Sequence, residues 1–356
     1  MDFEQIVATA GQNKASDIHF VPSKPIFLRI NSAMAPLGQE AMTKEQIQQI
    51  LEPLMSDAQK EVLQKNRQLD FLTITKTGVR LRANVFYQEH GMAATFRLVS
   101  QSVPEFKNLG FPPFVQEQLM KMRQGLVLIV GPTGQGKSTT MASILQARLA
   151  TKTENIITIE DPVEYVINSE KGVIHQREIG RDVVSFEEGI KASLRQDPDL
   201  LMVGEMRNIE TISATLTMAE TGHGVISTLH TNNGPETITR IIDIFPADAQ
   251  DQIRSQLGST LKMVISQRLL PSADGKGLVL AYEVLTSNYA IQNYIRTNKV
   301  FQIQNVLQTD ASGEMVQFEQ SLAGLVMNKR ITKEIAEEYA QDAEQLKNIL
   351  IANGVK

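Results

Sequence analysis

The sequence predicts two parts of different fold class. An α+β domain spans residues 1–100, and an α/β core spans 113–285 and runs on into helices over 286–356. Three observations predict this. Up to about residue 100, helical patterns are mixed with meandering strand-like runs. From Pro113 onward, short apolar strands alternate with helical patterns, which implies a parallel sheet covered by helices. Finally, "LVLIVGPTGQGKSTT" (126–140) carries an apolar run into a glycine-rich turn and then into a helical pattern.

The elements follow in order. Phe3, Ile6, Val7 and Ala10 share one helical face. "SDIHFV" and "PIFLRIN" read as short strands. "TKEQIQQILEPLM" opens with Thr43 and Gln46 at capping-box spacing and continues with a stripe of Ile47, Ile50, Leu51 and Leu54. "SDAQKEVLQKN" repeats the device with Ser56 and Gln59. "DFLTIT", "VRLRANVFYQ" and "MAATFRLV" read as three strands. The prolines and glycine of "SVPEFKNLGFPP" mark 101–112 as a linker. Beyond it, "LVLIVG", "NIITIED", "LLMVGEM" and "GVISTLH" supply the core strands. "QRLLPSADGKGLVLAYEVL" reads as a hairpin around Asp274 and Gly275. "ITKEIAEEYAQDAEQLKNILIANG" reads as two amphipathic helices that pack on their own domain.

Composition narrows the function. The absence of cysteine excludes disulfides and thiolate metal sites. A net charge of −5, no tryptophan and 5% aromatics argue against a nucleic-acid translocase, so no nucleic-acid partner is expected. The start carries Asp2 and Glu4 and no apolar core, and no apolar run approaches the roughly 20 residues of a membrane helix. The chain is therefore expected in the cytoplasm, where it can still dock on a membrane protein.

Gly131, Pro132, Thr133, Gly134, Gln135, Gly136, Lys137 and Ser138 match G-x-x-x-x-G-K-[ST] in full, and Thr139 follows. Glycines let backbone amides turn toward a phosphate, and the helix start adds partial positive charge. Lys137 would reach the β- and γ-phosphates, and Ser138 would ligate Mg²⁺. ATP with Mg²⁺ is thus the expected ligand pair. Hydrolysis also needs an acid at a nearby strand end; Glu160, Asp161 and Glu164 end one strand and Glu205 another. His223 and His230 flank a third strand, about 23 Å apart if it is extended, so they cannot share a metal. His230, at the carboxyl end, is the candidate γ-phosphate sensor. His19, His90 and His175 read as structural.

The phosphate loop, the acidic strand end, "LRQDPDLLMVGEMR" and the histidine segment occur in one order. Together they resemble the Walker A, Asp box, Walker B and His box of the secretion-ATPase superfamily (GspE/PulE-like). Within it, "ASDIHF", "FLRIN", "RIIDIFP", "ISQRLLPSADGKGLVLAYEVL" and "AIQNYIRTNK" are similar to the PilT-type retraction ATPases of type IV pili. The resemblance runs from about residue 15 to 299 and implies a PAS-like N-terminal domain, a RecA-like ATPase core and a homo-hexamer. It implies that Glu164 activates water, that Glu205 supports Mg²⁺, and that the His box, with His223, belongs to the nucleotide site. It adds Arg82 and Arg97, with Arg80 beside them, as arginines that approach the nucleotide. It further implies work at the cytoplasmic face of the inner membrane, on a pilus platform protein and with a possible paralogous retraction ATPase. Extension and type II secretion ATPases usually carry a tetracysteine zinc site, which this chain cannot build.

Some residues depart from the family pattern. The hallmark A-I-R-N-L-I-R-E is here "AIQNYIRT", changed at Gln292, Tyr294 and Thr297. Asn208 stands where aspartate is usual, and Gln135 where a small residue is. An accessory paralogue with weak hydrolysis therefore stands as the second reading.

Overall fold

The computed structural model describes residues 2–30, 33–99, 103–310 and 312–355, and the chain divides into two units, Met1–Ser102 and Val103–Lys356. In the first unit, helices α1 (Phe3–Gln12), α2 (Lys44–Leu51) and α3 (Asp57–Asn66) each begin with a reciprocal capping box. The Thr43/Gln46 and Ser56/Gln59 spacings predict two of these; Asp2 with Gln5 makes the third. Strands β1 (Asp17–Phe20), β2 (Ile26–Ile30), β3 (Ala33–Leu37), β4 (Gln68–Ile74), β5 (Arg80–Gln88) and β6 (Gly91–Leu98) form an antiparallel sheet in the order β3-β2-β1-β6-β5-β4. The rings of Phe3, Phe20 and Phe96 pack in its core with centroids 4.9–6.4 Å apart. β3 is absent from the sequence reading. It is an edge strand with Pro36 in it and no buried face, so no alternation marks it.

The second unit begins earlier than expected. Residues 101 and 102 of the expected linker lie outside the described residues. Phe106 and Phe111 are buried in the same cluster as Val127 and Ile129, so 103–112 is anchored to this unit instead of spanning a gap. Then come α4 (Pro113–Lys121), β7 (Gly125–Val130), α5 (Lys137–Thr151), β8 (Asn155–Glu160), β9 (Val173–Glu178), α6 (Phe186–Ser193), β10 (Leu200–Val203) and α7 (Ile209–Glu220). β11 (Gly224–Leu229), α8 (Gly234–Asp243), α9 (Gln250–Thr260), β12 (Leu261–Pro271) and β13 (Leu278–Thr286) follow. The sheet order is β13-β12-β7-β11-β10-β8-β9, and only the β12–β13 hairpin is antiparallel. β7 is central and buried on both faces: Leu126, Leu128 and Val130 enter one core layer, Val127 and Ile129 the other. β9 is a second edge strand that the sequence reading leaves out.

Helices α10 (Tyr289–Arg296), α11 (Ile303–Gln308), α12 (Phe318–Met327), α13 (Lys333–Tyr339) and α14 (Ala343–Ala352) complete the unit. Leu322, Ile331, Leu346 and Leu350 pack with Leu270 and Val279 of the hairpin, so the last helices cover their own domain, as expected. Among the described residues no helix is long and apolar enough to cross a membrane.

Candidate nucleotide-binding active site

The chain leaves β7 at Val130 and turns through three glycines with left-handed φ: Gly131 at 147°, Gly134 at 80° and Gly136 at 79°. Side chains rarely adopt these values. At Gly131 a Cβ would also come within 2.5 Å of the Gln267 carbonyl. α5 starts at once with Lys137, whose Nζ donates to the carbonyls of Gly131 (2.7 Å) and Pro132 (2.9 Å) and lies 3.4 Å from His230 Nδ1. Lys137 is 8% exposed, and burial pulls its pKa below the usual lysine value. The carboxylates of Glu205 and then Glu164 oppose that shift. Ser138 and Thr139 follow on the first turn, and Thr139 Oγ1 is 2.8 Å from the hydroxyl of Tyr165.

The acids at the strand ends divide into two kinds. Glu160, at the end of β8, is buried and accepts from Thr158 Oγ1 (2.6 Å), Gln176 Nε2 (3.2 Å) and the backbone N–H of Glu164. Burial pushes its carboxyl above the usual range. Glu178, also buried, accepts from the backbone N–H of Val163 at 3.1 Å. These two carboxylates hold the turn that presents Glu164 to solvent; Asp161 is likewise exposed. Glu205, beyond β10, has a side chain only 12% exposed, paired with Arg207 Nη2 at 2.6 Å and lying 3.5 Å from His230 Nε2. His230 thus stands between the Lys137 ammonium on its Nδ1 side and the Glu205 carboxylate on its Nε2 side.

The structure thus brings Lys137, His230 and Glu205 into one contact chain, with Glu164 near enough to act on Lys137. His223 is not brought there, contrary to expectation. Its carbonyl accepts from Gly125, the first residue of β7, at the edge opposite the phosphate loop. Its Nδ1 lies near Thr221 Oγ1 and the Met218 carbonyl instead. Arg82 and Arg97 lie opposite each other on β5 and β6 of the first unit; Arg97 Nε donates to the buried Asp17 at 2.9 Å, and Arg80 opens β5. Asn208 still caps α7, accepting from the Thr211 N–H at 3.0 Å, so the loss of aspartate leaves the cap in place.

Several residues here escape the sequence reading. Gln267 on β12 joins the loop to that strand. Glu283 on β13 accepts from the N–H of Gly234, the first residue of α8, at 2.8 Å; burial, and then Glu319, push its carboxyl up to about 7. Their one signal is a polar residue within the apolar runs "VISQRLLP" and "VLAYEVL".

A glycine-rich loop at the carboxyl end of a central parallel strand, with a lysine below it and carboxylates on neighbouring strand ends, defines a phosphate-loop nucleotide-binding protein. The chain belongs to the Type II/IV secretion system protein family, whose pattern matches residues 2–355, and it falls in the PilT-type branch. It is 38% identical over 344 residues to "Type IV pilus retractation ATPase PilT" of Pseudomonas aeruginosa, covering 97% of this chain and 99% of that one. It is 40% identical over 319 residues to "Twitching motility protein" of Neisseria gonorrhoeae, covering 90% and 85%. The solved "Crystal Structure of the Pilus Retraction Motor PilT and Bound ADP" matches with a TM-score of 0.91 at 42% identity, over 98% of this chain and 99% of that chain.

Proposed function

We propose that this chain is a Mg²⁺-dependent ATPase whose hydrolysis powers the retraction of type IV pili, and with it twitching motility. The observation that carries the proposal is the contact chain Lys137–His230–Glu205 beneath a complete phosphate loop. The likeness to PilT along nearly the whole chain supports the pilus assignment.

The residues divide the work. Phosphate oxygens replace the two loop carbonyls as partners of Lys137, because an anion is the stronger acceptor for a buried ammonium. The amides of the loop and of the start of α5 take the remaining oxygens. Ser138 and Glu205 would hold Mg²⁺. The hard-oxygen donor set suits an ion that keeps few protein ligands and shares substrate phosphates. When bound, the ion neutralises phosphate charge. Glu164 orients the attacking water and takes its proton. Any γ-phosphate contact that moves Lys137 is felt at His230 Nδ1 and passed to Glu205 through Nε2. Arg82 and Arg97 add positive charge at the transferred phosphoryl group. In a hexamer at the cytoplasmic face of the inner membrane, domain closure on ATP would turn the pilus platform protein.

The changed residues Gln292 and Thr297 on and after α10 favour a second reading, an accessory ATPase that joins a paralogue and hydrolyses weakly. An ATPase assay on the purified chain separates the two. Turnover at saturating Mg-ATP, lost in Lys137→Ala and indifferent to added DNA, supports the motor; no turnover supports the accessory role. Cells lacking the protein should carry long, unretracted pili, and normal retraction would overturn the assignment.

A further inference from the structure

We propose that Gln267 is a positioning residue for the phosphate loop, and that with Gln135 it forms a two-amide brace between the loop and β12. The inference rests on the nucleotide reading of that loop. β12 pairs with β7 as far as Ser266 opposite Val130, then continues to Pro271 behind the loop. Gln267 is the first residue past the paired stretch and is 1% exposed. Both ends of its amide are used: Nε2 donates to the Gln135 carbonyl at 2.6 Å, and Oε1 accepts from Thr140 Oγ1 at 3.1 Å. Gln135 answers in the other direction, its Oε1 accepting from the Leu269 N–H at 2.7 Å. The two bare glycines Gly131 and Gly136 allow the approach: added Cβ atoms would meet the Gln267 carbonyl at 2.5 Å and Leu269 Cδ1 at 3.3 Å.

The brace matters because a trans peptide points its C=O and N–H to opposite sides. By holding the Gln135 carbonyl outward against β12, Gln267 turns the N–H of Gly136 toward the concave side of the loop. Lys137 meanwhile holds the carbonyls of Gly131 and Pro132. The amides are thereby set before an anion arrives, so little ordering cost remains at binding.

The test is ADP binding to the full chain, read by fluorescence titration with a labelled ADP, alongside the melting temperature. Gln267→Met keeps the length and removes both hydrogen bonds; it should weaken ADP about tenfold. Gln135→Ala, at a half-buried loop position, removes only the strut to Leu269 and should weaken ADP about threefold. The double variant should lose less than the product of the two, because the struts act on one peptide. Adenosine, which carries no phosphate, should compete equally against parent and variants. A purely structural role would lower the melting temperature and leave ADP affinity alone. ADP binding within twofold of the parent in Gln135→Ala and in any Gln267→Met that folds would overturn the brace. Lys137→Ala is the control. If it binds ADP as the parent does, the nucleotide reading itself fails; if it loses ADP while the glutamine variants keep it, only the brace fails.

Discussion

Helix α5 carries a buried cation near each end, and the two are held in opposite ways. Arg148 is fully buried, and all of its N–H groups have partners. Nε and Nη2 meet the Glu154 carboxylate at 2.8 and 2.7 Å, and the carbonyls of Leu119, Met120 and Met122 take the rest. Lys137 is nearly as buried, yet its partners are two backbone carbonyls and a histidine nitrogen, with no carboxylate among them. Burial accordingly depresses its pKa. Arg148 is a finished interaction that ties α5 to the end of α4. Lys137 is held by partners that a phosphate displaces, which is what a binding lysine requires before its ligand comes.

The largest effects should fall on these two residues, in different measurements. Arg148→Met takes the donor from three inward carbonyls and leaves the largely buried Glu154 with Lys152 Nζ, at 3.1 Å, as its remaining cation; it should cost about 3–5 kcal/mol in urea unfolding. The folded fraction should keep its nucleotide affinity. Lys137→Ala should change stability by less than about 1 kcal/mol and weaken ATP and ADP by roughly a hundredfold or more, the loss expected for a desolvated charge pair. Equal destabilisation by both substitutions would erase the contrast.

The carboxylates sharpen it one step further. Glu164→Gln should bind Mg-ATP normally and hydrolyse about 10²–10⁴-fold more slowly, the usual contribution of a general base. Glu160→Gln keeps an acceptor for the Glu164 N–H and sheds a charge that burial already disfavours, so its rate should change much less. Should Glu205→Gln alone abolish turnover with binding intact, the water-activating role belongs to Glu205.

How much of this was legible in the sequence depended on distance along the chain. The capping boxes of α2 and α3 and the strand–loop–helix around Lys137 are local, written within a few residues, and could be read directly. Lys137 and His230 were legible too, because each stands at the carboxyl end of an apolar run, where sites form in parallel sheets. Gln267 was not. Its partners Gln135 and Thr140 lie on the far side of the eight helices and strands between α5 and β12, and nothing local distinguishes it from any other strand glutamine. The edge strands β3 and β9 were missed because neither has a clean buried face to impose alternation. The expected linker misled in the opposite sense: prolines dominated the reading, while Phe106 and Phe111 decided the packing. His223 entered the expected site through the family's His box, yet its strand carries it to the opposite edge of the sheet.

Glu283 gives a third kind of buried charge. It is 3% exposed, accepts one hydrogen bond from the Gly234 N–H, and has its pKa raised from 4.5 to about 7 by burial and, less, by the Glu319 carboxylate. Because the folded-state value lies above the unfolded one, the folded protein holds a proton over that interval that the unfolded chain releases. This group's contribution is therefore fully present below pH 4.5 and is lost as pH rises to about 7, with a slope approaching about 1.4 kcal/mol per pH unit inside the window. Glu283→Gln keeps an acceptor for Gly234 and cannot ionise. The melting temperature of the variant minus that of the parent should consequently rise from pH 5 to pH 8 and level off above. A difference that stays flat across that range would mean that Glu283 keeps one protonation state throughout, and that the N-terminus of α8, just past His230, is capped by a group as settled as Arg148.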